Sequence, residues 1–201
     1  MRGFVAVVLW LALAALPAAA PAQELKGEAL FAALKQGGFV IYLRHAASDA
    51  SQNDVDPIDT ANCQTQRNLS AEGREQVKAI GQAIRALGIA ADKVLTSPYC
   101  RAKDTGMLAF GAAQASDALH YSQGLAPEAA EKALAELKQL LGIVPPAGKN
   151  TVMVGHTSNL KTLAGVWPRS EGAAVVLQPK SDGSFAVVGS FAAADLIKAG
   201  S

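Results

Sequence analysis

Aromatic side chains are scarce in this 201-residue chain, at 5%, and charged ones make up only 17%. A core with so few rings has to be filled by Ala, Val, Leu and Ile. Neither sign of charge prevails: 18 Lys and Arg stand against 17 Asp and Glu. That excludes the strongly basic face on which broad nucleic-acid binding depends. A solvated disordered tail is excluded too, because 50% of the residues are hydrophobic. Cysteine is confined to Cys63 and Cys100. A structural zinc site needs more ligands at closer spacing. A Cys-x5-Arg phosphate cradle is missing as well, since Leu69 and Gly106 stand where its arginine would be. There is no G-x-S-x-G elbow to suggest a serine hydrolase. No apolar run reaches the roughly 20 residues of a membrane span.

The apolar run nearest the start does carry information. Arg2 precedes Phe4–Leu16, 13 uncharged apolar residues, and Ala20-Pro21-Ala22 follows. This pattern reads as a secretory signal peptide over residues 1–22, leaving one domain over 23–201. The expected location is periplasmic or secreted, with no stable membrane anchor after cleavage. In an oxidising compartment an even cysteine pair is expected to bridge, Cys63 to Cys100, with two separate buried thiols as the alternative.

Periodicity outlines the rest. A short helix is expected over Gly27–Gln36, stopped by Gly37-Gly38. Apolar β-rich runs at Phe39–Leu43, Lys93–Thr96 and Thr151–Val154 predict buried strands, and Ala118–Tyr121 a short one. Residues 44–69 form a long polar loop. Ser70 is an N-cap for a helix whose apolar stripe is Val77, Ile80, Ile84 and Leu87. Further helices are expected at 101–110 and Pro127–Leu141. Ala173–Gln178 and Phe185–Ser190 flank Ser181-Asp182-Gly183 as a hairpin. Strand–helix alternation predicts a three-layer α/β/α sandwich with a largely parallel central sheet.

Ligands of open α/β sheets bind beyond the carboxyl ends of the strands. His45 with Arg44, His156, and Arg101 all stand just past expected strands. Arginine forks match phosphate oxygens, and a neutral imidazole can attack phosphorus and hold it covalently. Two arginines and two histidines at one rim therefore suit a phosphoryl group without a metal or other cofactor.

The segments carrying these residues resemble a known family. Leu43-Arg44-His45-Ala46 is similar to the Arg-His-Gly/Ala signature of the histidine phosphatase superfamily, the phosphoglycerate-mutase-like fold. Leu69-Ser70-Ala71-Glu72-Gly73-Arg74-Glu75-Gln76 resembles its Leu-Thr-x-x-Gly-x-x-Gln helix start. Ser97-Pro98-Tyr99-Cys100-Arg101-Ala102-Lys103-Asp104-Thr105 resembles its Ser-Pro-x-x-Arg-Ala-x-x-Thr segment, and Val154-Gly155-His156 its Val-Gly-His. The order is the family's. The resemblance implies His45 as nucleophile, with Arg44, Arg101 and His156 holding the phosphoryl group. The chain departs from the pattern at the proton donor. Pro127 stands where Leu-x-Glu would place the glutamate, as in the compact phosphohistidine-phosphatase-like branch. Glu128 and Asp49 are the candidate acids, and Arg67 and Asn68 candidate substrate contacts. The expected activity is metal-independent phosphomonoester hydrolysis through a phosphohistidine. The partner is a phosphorylated small molecule or envelope component. The alternative is a non-catalytic envelope protein that binds phosphorylated glycan or peptide in the same pocket.

Overall fold

The computed structural model describes residues 24–201, so the expected leader, residues 1–22, lies outside them. Six strands form one sheet: β1 (Val40–Arg44), β2 (Ala91–Thr96), β3 (Gln114–Ala115), β4 (Asn150–Gly155), β5 (Ala174–Pro179) and β6 (Phe185–Phe191). Their order across the sheet is β3-β2-β4-β1-β5-β6. The β1–β4, β2–β4 and β2–β3 pairings are parallel. The β1–β5 and β5–β6 pairings are antiparallel, and the last is the expected hairpin.

Alternation along the strands splits the core into two layers. Ile41 and Leu43 of β1 face one side with Val152 and Val154 of β4. There they meet Leu30 and Leu34 of α1 (Gly27–Gln36), Ile80 and Ile84 of α2 (Ala71–Ala86), and Ala102 of α3 (Cys100–Phe110). Val40 and Tyr42 enter the opposite layer. Their neighbours there include Leu137 and Leu141 of α4 (Pro127–Leu141) and Leu160 of α5 (Thr157–Ala164). A last helix, α6 (Ala193–Ala199), returns Leu196 to the first layer. Each fully buried Leu or Ile contributes roughly 1.5–3 kcal/mol. Aliphatic burial on both faces therefore replaces the missing aromatics. Among the described residues no helix is long and apolar enough to cross a membrane.

One expected strand does not form. Ala118–Tyr121 is not extended; Asp117–Leu119 is a 3-10 turn, closed by the His120 N–H donating to the Asp117 carbonyl (3.0 Å). Leu119 is drawn fully inward beneath α4, which extended backbone at the sheet edge would not allow. The edge pairing falls earlier, at β3, where the Ser116 N–H donates to the Thr96 carbonyl (2.9 Å).

The start of α2 is pressed against the backbone that follows β1. Ser70 caps the helix by accepting from the Gly73 N–H (3.0 Å), and the Ser70 N–H donates to the Ala47 carbonyl (3.1 Å). A Cβ on Gly73 would lie 1.9 Å from that carbonyl oxygen, so the helix can sit there only with glycine. Gly73→Ala is expected to cost about 1–3 kcal/mol of stability, the range for overpacking. Urea unfolding measures it; an unchanged midpoint would mean that the α2 contact yields freely.

Candidate active site

Three strand ends meet where two parallel pairings place them side by side. In the β1–β4 register Arg44 lies opposite Gly155, so His45 and His156 are the next residues of two adjacent strands. The His45 N–H donates to the Gly155 carbonyl (3.1 Å), and the two imidazoles stand 5.5 Å apart, edge to face. The buried Tyr42 hydroxyl locks the arrangement from below. It donates to the His156 carbonyl (3.0 Å) and accepts from the His156 N–H (3.1 Å). A Cβ at residue 155 would come within 2.3 Å of that hydroxyl, which explains the Gly before the His. Next to β4, β2 delivers Ser97, and α3 then carries Arg101 in its first turn. Thr105, one turn on, accepts from the Ala46 N–H (3.1 Å) and donates to the Arg101 carbonyl (2.7 Å). The Thr of the Ser-Pro-x-x-Arg-Ala-x-x-Thr segment thus ties the arginine's helix to the histidine's turn.

Hydrogen bonds also set the tautomer of His45. Its Nδ1 lies 2.9 Å from the Ala46 carbonyl, which can only accept, so Nδ1 carries the hydrogen and Nε2 keeps its lone pair. Burial lowers the His45 pKa to about 4, helped by the Arg101 and Arg44 cations and opposed by the Ala46 carbonyl and Glu171. Burial likewise pushes His156 well below the ordinary imidazole value, with His45 and Arg101 adding to the effect. Both rings are neutral near pH 7. His156 Nε2 is hydrogen-bonded to the Ser97 hydroxyl (2.8 Å).

The cations are held by acids. Arg101 is 2% exposed, with its guanidinium 4.5 Å from the centre of the Tyr99 ring. Its Nη1 donates to Asp54 Oδ1 (2.9 Å) and to the Arg67 carbonyl (3.2 Å). Arg44 pairs with Glu171 (3.6 Å) and donates to the Arg169 carbonyl. Glu171 also accepts from the Ser48 hydroxyl (2.7 Å) and backbone N–H (3.2 Å), and stands 3.9 Å from His45 Nδ1. The Nε groups of Arg67 and Arg101 are buried with no hydrogen-bond partner among the described residues. Arg44, Arg67 and Arg101 bring three guanidinium groups to one cleft, a charge pattern that suits an anion.

That cleft is a cavity of about 390 Å³, lined by Arg44, His45, Arg67, Arg101 and His156 together with Asp54. Tyr121, Gln123 and the half-exposed Trp167 also line it. The structure thus brings together five of the residues singled out from the sequence. Three others stay outside. Asn68 spends its amide on the Gln52 side chain and the Cys63 and Gln66 carbonyls, bracing the loop. Asp49 does not line the cleft and caps a turn through Ser51 and Gln52, bonds that lower its pKa. Glu128 is exposed in the first turn of α4. Asp54 and Glu171 were not anticipated. Nothing local separates Asp54 from Asp49, Asp56 and Asp59 in the same loop. Glu171 reaches the site only because antiparallel β5 starts beside the end of β1.

Cys63 and Cys100 are bridged, across a separation of 37 residues, which removes the alternative of separate thiols. The bridge joins the polar loop to the first residue of α3, one position before Arg101. Gln66 reinforces it by accepting from the Cys100 N–H (2.9 Å). Among the described residues no group of three or more His, Cys, Asp or Glu is arranged to hold a metal.

Residues 40–126 match the family model described as histidine phosphatase superfamily (branch 1). No curated protein matches the chain. Several solved structures share the fold. The protein histidine phosphatase SixA complexed with tungstate superposes with a TM-score of 0.54 at 16% identity, over 79% of this chain and 99% of that one. Mycobacterial glucosyl-3-phosphoglycerate phosphatase in complex with inorganic phosphate gives 0.52 at 16%, over 78% and 99%. A protein from Thermus thermophilus gives 0.52 at 16%, over 77% and 99%. The matched segment is similar to the histidine phosphatase superfamily, and the solved structures share the fold of this chain.

Two outcomes follow from this geometry. Closing a loop of this size is worth about 3–4 kcal/mol on the chain-entropy account. Reduction is therefore expected to lower the melting temperature, and also to weaken phosphate binding by releasing the loop that holds Arg101. Calorimetry with and without reductant checks both, and unchanged phosphate affinity would make the bridge purely structural. The second outcome concerns pH. The folded His45 titrates below the unfolded value of 6.5, so the unfolded chain binds more protons between about 6.5 and 4. Stability should therefore drop as the pH is lowered through that window, and should drop less in His45→Gln, as melting curves at stepped pH would show.

Proposed function

We propose that this protein is an exported, metal-independent phosphatase that hydrolyses a phosphomonoester through a phosphohistidine on His45. The observation that carries the reading is the Nε2 lone pair of a neutral, buried His45 at a cleft lined by Arg44, Arg67 and Arg101. A neutral imidazole with its Nδ1–H held by a carbonyl is a ready nucleophile. Arg44, Arg67 and Arg101 would hold the phosphoryl oxygens and stabilise the charge that builds on them. His156 would add a donor: if the Ser97 hydroxyl donates to Nε2, the ring hydrogen is on Nδ1 and free for the phosphoryl group. Nε2 then attacks phosphorus as the ester oxygen departs with a proton. Water afterwards attacks the phosphohistidine, releasing phosphate and restoring His45. That two structures of the same fold hold tungstate and phosphate agrees with an oxyanion site.

Export is supported by the leader-like residues 1–22 and by the disulfide, which persists in an oxidising compartment. The substrate class this reading implies is a phosphorylated small molecule or a phosphorylated envelope component.

Purified protein should hydrolyse an activated aryl phosphate in the presence of chelator. Rapid quenching with labelled substrate should trap acid-labile phosphate, and His45→Ala should abolish both label and turnover. Arg101→Ala should lower turnover about 10²–10³-fold, the scale for one transition-state donor. Turnover that survives His45→Ala would overturn the mechanism, and phosphate binding with no turnover on any ester would make the protein a binder.

A further inference from the structure

Among the described residues that line the cavity, Asp54 is the only carboxylate. Its Oδ1 accepts from Arg101 Nη1 and from the Arg67 N–H, both at 2.9 Å, so one oxygen spans the two arginines of the anion site. The side chain is 30% exposed and open to exchange with solvent. An ionised carboxylate beside a bound phosphate dianion repels it, and a cleft built only to bind would do better without one.

The repulsion disappears if the carboxylate takes up a proton as the substrate enters. A phosphate oxygen that accepts from Arg101 becomes a near neighbour of Asp54, since both share one guanidinium. Asp54 thus sets a carboxyl group at the edge of the phosphoryl site, within reach of an oxygen leaving the phosphorus.

We propose that Asp54 is the proton donor to the leaving group, a role that rests on the phosphatase reading above. As the His45 Nε2–P bond forms and the P–O ester bond breaks, Asp54 passes its proton to the departing oxygen, which leaves as an alcohol. The resulting carboxylate accepts a proton from the water that attacks phosphorus as the P–N bond breaks. The sum is ester plus water giving alcohol plus phosphate, with the acid restored.

Asp54→Asn separates this role from that of a strut. The amide oxygen can still accept from Arg101 and from the Arg67 N–H, while the acid is gone. The probes are para-nitrophenyl phosphate, whose leaving oxygen departs unaided, and phenyl phosphate, whose leaving oxygen needs the proton. The loss of kcat/KM in Asp54→Asn is expected to be about 10²-fold or more on phenyl phosphate and at least about tenfold smaller on the nitrophenyl ester. Equal losses on both esters, or no loss on either, would overturn the assignment. Wild-type protein inert toward both would overturn the phosphatase reading and the role of Asp54 with it. A series of substituted phenyl phosphates on the wild type needs no variant. A shallow dependence of kcat/KM on leaving-group basicity supports the donor, and a steep one overturns it.

Discussion

Parallel pairing of β1 with β4 is the constraint on which the site depends. It makes His45 and His156 neighbours without either being adjacent in sequence to the other. The ladder ends with the His45 N–H on the Gly155 carbonyl, and the Tyr42 hydroxyl continues the order one residue further by gripping the His156 backbone on both sides. Tyr42 itself is held in the layer formed by α4 and α5. Burial raises its pKa far above the ordinary phenol value, so the hydroxyl stays neutral and keeps its donor. The site is positioned by the core, and the core reaches it through that hydroxyl.

Electrostatics then follow from depth. The same burial that orders the histidines also disfavours their charged forms, and the nearby arginines push in the same direction. Positive charge in the site therefore resides on the guanidinium groups, while both imidazoles stay neutral. Arg101 and Arg44 are each paired with a carboxylate. Asp54 serves Arg101, and Glu171 serves Arg44. Glu171 is opposed by its own burial, but the Ser48 hydrogen bonds and the charges of His45 and Arg44 hold its pKa below the usual carboxylate value.

The polar loop after β1 is a second scaffold rather than a flexible connection. The Cys63–Cys100 bridge and Gln66 clamp it to the start of α3, and the Asn68 amide knits its two strands of backbone together. This bracing brings Asp54 and Arg67 to Arg101 from across the loop. A residue expected to touch substrate, Asn68, instead does the bracing.

Local chemistry made much of this protein legible in the sequence. Strand runs, the Ser70 cap and the residues Arg44, His45, Arg101 and His156 follow from short-range patterns, because apolar alternation and helix capping act over a few residues. The motif glycines have a tertiary reason: Gly73 and Gly155 are glycines because the distant Ala47 carbonyl and Tyr42 hydroxyl occupy the space of a Cβ. The acids were decided only by the tertiary structure. Asp49, Asp54 and Glu128 are alike as sequence, and which of them faces the cleft depends on how a long loop is clamped. Leu119 turned out of the sheet for the same kind of reason, since the void under α4 exists only once the layers have packed. Sequence patterns specify what each segment prefers locally, whereas the meeting of Asp54 with Arg101 and of Glu171 with Arg44 is set by long-range packing that no local pattern encodes.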